Sequence, residues 1–288
     1  MGKPPSHRAP GPRAAAGLLA VAALACAGAT AREREEPLWE AGAGIAALHL
    51  PDYRGSSHSR GYALPVPYFI YHGDFLKSDR HGVRGVLFAS DRVDFNLSLG
   101  ASLPVDSSQS EVREGMPDLR PSIELGPKID LTLWRTDDRR VKLDLRLPLR
   151  GAVTLESHPR YIGAQFFPHL NLDVEDVGGL AGWNLGILAG PVYTDRRNNQ
   201  YFYSVTPEQA TASRPAYEAG GGYGGAQFIV ALSKRYRQFW VGGYLRYDTL
   251  AGATFADSPL VTSNRYAAGG IGLSWIFSES SKRVLVDD

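Results

Sequence analysis

The sequence predicts an all-β fold, a transmembrane antiparallel up-and-down β-barrel of about twelve strands. Three observations predict it. Many segments alternate apolar and polar residues with period two, which is typical of strands that cover one face. After the first thirty residues, no segment has the run of about eighteen apolar residues that a membrane-spanning helix needs. Tight turns and long polar loops also alternate along the chain, as they do in outer-membrane barrels.

Residues 1–31 are predicted to form a cleaved secretory signal peptide. Three basic residues precede the apolar run 14–27, which is too short to span a bilayer, and small residues follow at 29–31. The only cysteine, Cys26, lies in this leader, so no disulfide is expected. The chain has a formal net charge of +1, and loss of the basic leader makes it slightly negative. The composition therefore gives no support for a nucleic-acid partner.

The strand candidates follow one another after a charged lead-in. They are residues 38–50, 62–71, 74–89, 93–103, 123–133, 141–150, 161–174, 180–194, 217–236, 239–250 and 265–277. In the second of them, Pro65 and Pro67 indicate an edge or a bulge, because proline cannot donate to a strand ladder. The last one alternates Ile271, Leu273 and Trp275 with small residues, so one of its faces is apolar.

The long loops fix the strand count. If all of them lie on one side of the membrane, an even number of strands must separate any two. This parity requires residues 74–89 to be two strands, broken at the turn-forming residues 78–82. The result is twelve strands, or ten if the short pair near Phe75 stays outside the sheet. The predicted organisation is a barrel over residues 32–277 and a periplasmic C-terminal tail over residues 278–288.

A soluble β-sandwich would also have strands with one apolar face. The polar faces help to choose, because several carry charges of both signs that could neutralise one another inside a barrel, where an unpaired charge is costly. In a sandwich the same charges would face water. The candidate interior charges are Glu124, Lys128, Asp130, Lys142, Asp144, Arg146 and Arg150. Together with the leader and the loop asymmetry, they favour the barrel.

Aromatic residues near the strand ends are expected to form girdles at the two membrane interfaces. These are Trp39, Tyr68, Trp134, Trp183, Tyr236, Trp240, Tyr247 and Trp275. In a sandwich they would instead be core residues.

Residues that could act in catalysis or bind a metal or cofactor are scattered along the chain. Glycines 220, 222 and 225 fit a dinucleotide-binding pattern, but no βαβ unit surrounds them, so they are interpreted as points where the strand bends or a backbone approaches closely. The histidines lack metal-ligand spacing. Asp79 with His81, or Ser157 with His158, could be imagined as a catalytic pair at the rim. We expect no catalytic residue, no cofactor site and no metal site.

Loop 195–215 has the strongest features of the long loops. Tyr201, Phe202 and Tyr203 are candidate contacts at the barrel mouth, where the loop would pack over the opening or present a binding surface. Thr206, followed by Pro207 and Gln209, predicts the start of a helical turn with a capping box.

Several short motifs are spread over most of the chain. They are Trp39-x-x-Gly42-x-Gly44, Pro51-Asp52-Tyr53-x-Gly55-Ser56, Pro67-Tyr68, Tyr201 to Thr206, Pro207-x-Gln209-Ala210, Tyr217-x-Ala219-Gly220 and Asp257-Ser258-Pro259. Together these motifs resemble those of the MipA/OmpV family. The resemblance implies an outer-membrane β-barrel. It also implies a scaffold that links a lytic murein transglycosylase to a penicillin-binding protein, whereas other members are described as porin-like or adhesin-like. No catalytic residues come with this family.

The expected function is therefore that of an outer-membrane scaffold, with the lipid bilayer and peptidoglycan-remodelling enzymes as partners. A porin-like channel for small solutes is the alternative, and a membrane enzyme at the rim is the third reading. The tight periplasmic turns leave little surface for a scaffold apart from the two ends of the mature chain.

Overall fold

The structure, a computed structural model, describes residues 34–72, 76–79, 82–90 and 92–286. The predicted signal peptide lies outside these residues. The strands are β1 Arg34–Pro37, β2 Trp39–Pro51, β3 Ser59–His72, β4 Leu76–Asp79, β5 Gly82–Ala89, β6 Val93–Ser102, β7 Ser122–Arg135, β8 Val141–Thr154, β9 Tyr161–Phe166, β10 His169–Val174, β11 Trp183–Thr194, β12 Gly222–Arg235, β13 Phe239–Thr249, β14 Arg265–Glu279 and β15 Arg283–Val286. One α-helix, α1, covers Arg196–Tyr203 among the described residues.

The described strands from β2 to β14 form one closed antiparallel barrel. Apart from β9 and β10, which do not pair with each other, each pairs with its neighbour in the chain, and β14 pairs with β2, which closes the sheet between the first and last barrel strands. β9 and β10 together occupy one position, because β8 and β11 each pair with both of them. The described part of the chain therefore has twelve barrel strands, so the twelve-strand prediction is confirmed and the ten-strand alternative is wrong.

The predicted strand over residues 161–174 differs from the structure. It breaks at Phe167 and Pro168 into β9 and β10, and the backbone N–H of Phe167 donates to the carbonyl of Pro148 on β8. Proline cannot donate to the ladder, so the pairing shifts at this point.

The two sheet faces differ as the alternation predicts. Ile45, Leu245 and Ile271 lie on neighbouring strands and are 70%, 73% and 70% exposed, respectively. Residues at the alternate positions are mostly less exposed, and some of them meet across the barrel. Arg235 of β12 bonds Glu40 of β2 at 2.9 Å although β13 and β14 lie between these strands. The less exposed face is therefore the interior, and the apolar face is the one that a bilayer covers.

Six of the eight predicted girdle aromatics lie on the outer face, and two do not. The hydroxyl of Tyr68 donates to Glu40 inside the barrel. Trp240 lies over Gly242 and beside Gly272 on the inner face. The girdle prediction was wrong for these two, because it used their place at strand ends and ignored the face that alternation gives them.

The chain ends meet beyond the barrel. β1 and β15 pair as a separate two-stranded antiparallel sheet, with Glu35 opposite Leu285. We call this pair the terminal sheet. It lies at the end of the barrel where the tight turns are, which is the periplasmic end of such barrels. No described helix has the length and apolar character that crossing a membrane would require.

Candidate functional site

Four loops at one end of the barrel pack together into a structure that we call the cap. These loops are residues 52–58, 103–121, 195–221 and 250–264. All members of the main buried apolar cluster come from these loops, and they are Tyr53, Val105, Leu119, Tyr203, Ala219, Leu250, Ala253 and Phe255. Because the loops arise from strands around the circumference, their mutual contact covers the mouth of the barrel.

Helix α1 supplies the centre of the cap. Its first turn is capped by the Asp195 carboxylate, which accepts from the Asn198 backbone N–H at 2.7 Å. Its last residue, Tyr203, stacks on Phe255 with ring centroids 3.8 Å apart and donates its hydroxyl to the carbonyl of Arg54 at 2.9 Å. Burial raises the pKa of Tyr203. This helix was not predicted from the sequence, although Asp195 before a polar run is an N-cap signal.

The predicted mouth-loop residues hold loops together. Tyr203 is buried within the cap. The Tyr201 hydroxyl accepts from the backbone N–H of Arg120, and the Phe202 carbonyl accepts from the Arg113 guanidinium at 3.2 Å. Tyr201 and Phe202 are partly buried against the cluster, so all three residues contribute to packing between loops.

The predicted helical turn after this helix is present. Pro207–Gln209 form a 3₁₀ turn, and Gln209 accepts from the backbone N–H of Thr206 at 3.1 Å. The prediction of a capping box is confirmed.

Two buried arginines fasten the cap through backbone carbonyls. Arg214 donates to the carbonyls of Val112, Glu114 and Gln209 at 2.7 to 3.1 Å. Arg113 lies over the ring of Tyr53 at 5.7 Å, and its pKa is lowered by burial. Neither arginine was predicted as a cap residue, because a carbonyl partner in a distant loop leaves no trace in the sequence.

Tyr53 is the corresponding apolar anchor in the first loop. Its hydroxyl donates to the carbonyl of Leu260 at 2.7 Å. Burial raises its pKa to about 12. The ring therefore joins two cap loops and stays neutral at physiological pH.

A charged cluster joins the cap to the barrel. Asp248 of β13 is fully buried and accepts from Arg54 of the cap at 3.2 Å and from Arg246 of β13 at 3.0 Å. Gln227 donates to the same carboxylate at 3.3 Å. Arg246 also donates to the Tyr266 hydroxyl at 3.2 Å. One carboxylate thus serves two guanidinium groups, and we call these residues the junction.

The seven candidate interior charges lie on the inner faces of β7 and β8, and each of them forms an ion pair with another member of the set. Lys128 lies 2.7 Å from Asp130, and Arg150 lies 3.6 Å from Glu124. Asp144 forms ion pairs with Lys142 at 3.4 Å and with Arg146 at 3.3 Å.

Polar side chains of the adjoining strands complete this charged wall. Asp173 of β10 accepts from Arg146 at 2.9 Å and from Asn171 at 2.7 Å. Asn96 of β6 donates to Asp130 at 3.0 Å, and Ser98 accepts from Arg150 at 2.8 Å. Three uncharged members of this network were not predicted, namely Asn96, Ser98 and Asn171. An uncharged polar residue at an inward-facing position gives no sign in the sequence that it will bond to a charged neighbour.

The opposite wall of the barrel is built differently. Gly42 and Gly44 of β2 and Gly272 of β14 face inward, and the Trp240 ring lies against Gly272. Gly225, at the start of β12, has φ of +95°, and an added Cβ would collide with the carbonyl of Thr249. This agrees with the interpretation of the glycine run as close backbone approach.

The suggested catalytic neighbours do not form a catalytic arrangement in the described part of the chain. Ser157 lies 3.3 Å from His158 in an exposed loop. The neighbouring acid Glu156 is engaged by Arg160 and Thr154, at 2.8 Å each, so it does not orient the imidazole. His81, of the other pair, lies outside the described residues.

The sequence model of the family described as MltA-interacting protein MipA matches residues 43–277. The chain belongs to the MipA family. The matched segment begins in β2 and ends in β14, so it contains the barrel and the cap, whereas the terminal sheet lies outside it.

Curated relatives of this MipA-family protein are outer-membrane proteins. Outer membrane protein OmpV of Vibrio cholerae and Outer membrane protein Omp26La of Vibrio anguillarum are each 25% identical over 209 residues, which are 70% of this chain and 74% of the relative. The crystal structure of the outer membrane protein OprG from Pseudomonas aeruginosa covers 86% of this chain at 9% identity, with a TM-score of 0.23. At that score the likeness carries no argument. This MipA-family chain is an outer-membrane β-barrel protein.

Proposed function

We propose that this protein is an outer-membrane scaffold for peptidoglycan-remodelling enzymes, a lytic murein transglycosylase and a penicillin-binding protein. The observation that carries the proposal is the occluded barrel: a packed cap covers the mouth, and the charges of the inner wall neutralise one another. A barrel with a covered mouth is better suited to binding other proteins than to conducting solutes. The family description, MltA-interacting protein, supports a binding role of this kind.

The terminal sheet supplies the periplasmic surface that such a scaffold needs. Leu285 is 63% exposed, and charged residues of both signs surround it, with Glu35 opposite and Arg283 in the same strand. Neither edge of this sheet pairs with another described strand. Exposed edges and an apolar side chain are features that a partner strand can use.

Co-purification tests the proposal. The tagged protein, solubilised from outer membranes, should recover a transglycosylase or a penicillin-binding protein. Leu285→Asp should reduce the recovery, whereas Leu180→Asp should not, since Leu180 is 60% exposed in a tight turn at the same end. Failure to recover either enzyme from an extract that contains both would overturn the scaffold. Equal recovery with both variants would leave the scaffold standing and move the contact away from the terminal sheet.

A porin-like channel is the second candidate, because water reaches parts of the inner face. The side chain of Arg235 remains 31% exposed, and those of Glu124 and Arg150 remain 23% exposed. Single-channel recording in planar bilayers separates the two functions. A scaffold should show steady openings only after deletion of residues 195–215, whereas steady openings of the intact protein would favour the channel.

A further inference from the structure

The wall of the barrel is interrupted between β3 and β6. Two short strands, β4 and β5, lie between them, and β4 pairs with only Tyr71 and His72 of β3. The hairpin register closes at Asp79 and Gly82, and β5 pairs with β6 only as far as Ser98. Above this hairpin, residues 59–68 of β3 face no described strand on that side. We call this gap the window.

The window has a lower and an upper border. The β4–β5 hairpin forms the lower one. At the top, Arg60 of β3 donates to the Gln109 side chain of the cap at 2.8 Å and to Asp52 at 2.7 Å. Since two strands separate β3 from β6, regular strand spacing holds their edges about 14 Å apart where those strands stop. The gap is therefore a side opening of limited size rather than a split through the whole wall.

Hydrogen-bond parity shows which backbone groups face the window. His72 donates to the carbonyl of Leu38, and Asp52 donates to that of His58, at the two ends of one uninterrupted β2–β3 ladder. Even-numbered residues of β3 therefore exchange hydrogen bonds with β2, and odd-numbered residues point to the window. The pairing of Tyr71 with Ser78 agrees with this parity.

Two of these window-facing residues are prolines. Gly61 and Ala63 present N–H groups near the top, whereas Pro65 and Pro67 have none to present. An unsatisfied N–H is the backbone group that folded proteins tolerate least, so the prolines remove it at the greater depth. They also make this edge a poor template for a partner strand. The prediction of an edge or a bulge at these prolines resolves as an edge, because the β2–β3 register has no shift.

The β3 border of the window is apolar on both faces, whereas the inner face of the β6 border carries Ser98 and Gly100, which lie beside Arg150. Pro65, Pro67 and Leu99 are exposed on the outer face. On the inner face, Leu64 and Val66 lie at the opening, and Val66 is 37% exposed although it points inward. Lipid chains on the outer face of the barrel can therefore reach the apolar inner face of β3 through the window.

We propose that the window binds a single-chain amphiphile from the outer leaflet. The polar head accepts hydrogen bonds from the N–H groups of Gly61 and Ala63 near the top. The chain lies deeper, beside Pro65 and Pro67, and reaches Leu64 and Val66 on the inner face. This order matches the edge, where backbone donors are present at the headgroup level and absent at the level of the hydrocarbon.

Fluorescence quenching tests the site in the full protein. In a Cys26→Ser background, a fluorescent maleimide is attached at Leu64→Cys, and stearic acid with a nitroxide on its chain is added to vesicles that contain the protein. Matched positions are Ile229→Cys, on the inner face of β12, which has both neighbours, and Ile45→Cys, on the outer face. If Leu64→Cys does not fold, Tyr62→Cys offers a second inner-face position on β3.

The proposal expects strong and saturable quenching at position 64, weak quenching at position 229 and non-saturable quenching at position 45. Quenching at position 64 as weak as that at position 229 would show a closed wall and would overturn the proposal. Quenching at position 64 that rises without saturation, as at position 45, would show contact with bulk lipid only and would overturn the binding site.

Discussion

The cap buries apolar side chains as a water-soluble domain does, whereas the barrel beneath it buries charges and turns its apolar side chains outward. Phe255 and Leu260 are almost fully buried in the cap, and Asp144 is almost fully buried in the barrel. The solvent around each region accounts for this difference. Water drives apolar groups of the cap together, but lipid covers the outer face of the strands and leaves the interior to groups that satisfy one another. Each region should therefore respond to its own class of substitution.

The largest effect is expected at the junction, where the two regions meet. Asp248→Asn leaves Arg54 and Arg246 without their shared carboxylate in a buried position. Removing one partner of such a pair costs about 3–5 kcal/mol. Denaturant unfolding in detergent should show this loss, with Asp138→Asn, in an exposed turn, as the control. A loss no larger than that of the control would show that the junction is solvated.

Truncation of a buried side chain in the cap should destabilise the cap but leave the barrel folded. Phe255→Ala removes the ring that stacks on Tyr203, and a buried Phe-to-Ala change costs about 3–5 kcal/mol locally. Protease cleavage of the cap loops should become faster while the barrel stays folded. Phe228→Ala, on the outer face of β12, should leave this cleavage rate unchanged. Loss of the barrel together with the cap would show that the two regions unfold as one.

The barrel should respond most to charge on its outer face. Leu145 lies between Leu131 and Leu170 on that face, and Leu145→Lys is expected to cost about 2–4 kcal/mol and to block assembly. Leu155→Lys, just beyond the end of β8, should cost about 0–1 kcal/mol, because the depth in the bilayer sets the penalty. Folding into vesicles measures both. Normal folding of the Leu145→Lys variant would contradict the assignment of Leu145 to the lipid-facing surface.

The smallest effect is expected from a change of pH that acts on the cap. The pKa of Tyr53 rises from 10.0 to about 12 on folding, so its contribution is complete below pH 10 and is lost as the pH rises through 12. A shift of this size corresponds to about 2–3 kcal/mol. Protease accessibility of the cap should increase over this range, and Tyr53→Phe should weaken the dependence. A cap that resists the protease equally at both ends of the range would contradict this expectation.

Strand faces could be predicted because alternation depends only on local sequence. The faces of β7, β8 and β14 follow directly from it, and the parity of the long loops required two strands in residues 74–89, which are β4 and β5. Family membership could also be inferred from short motifs.

Contacts between distant segments could not be predicted. Arg214 reaches carbonyls about a hundred positions away, and such groups exist at every residue, so the sequence does not mark them. The same holds for the pairing of β1 with β15, which short charged segments do not suggest. Two local signals were present and overlooked, Pro168 within a predicted strand and Asp195 before α1.

The pairing of the chain ends also bears on assembly. β14 pairs with β2, and β15 pairs with β1, so the contact between the two chain ends continues from the barrel wall into the terminal sheet. These are contacts between the most distant parts of the described sequence, and closing the longest loop costs the most chain entropy. The terminal sheet adds further strand pairing at this contact, whose closure costs the most chain entropy. It holds the two ends of the closed barrel together. A circularly permuted chain, with its original ends joined and new ends placed in a long loop, should therefore form the same barrel.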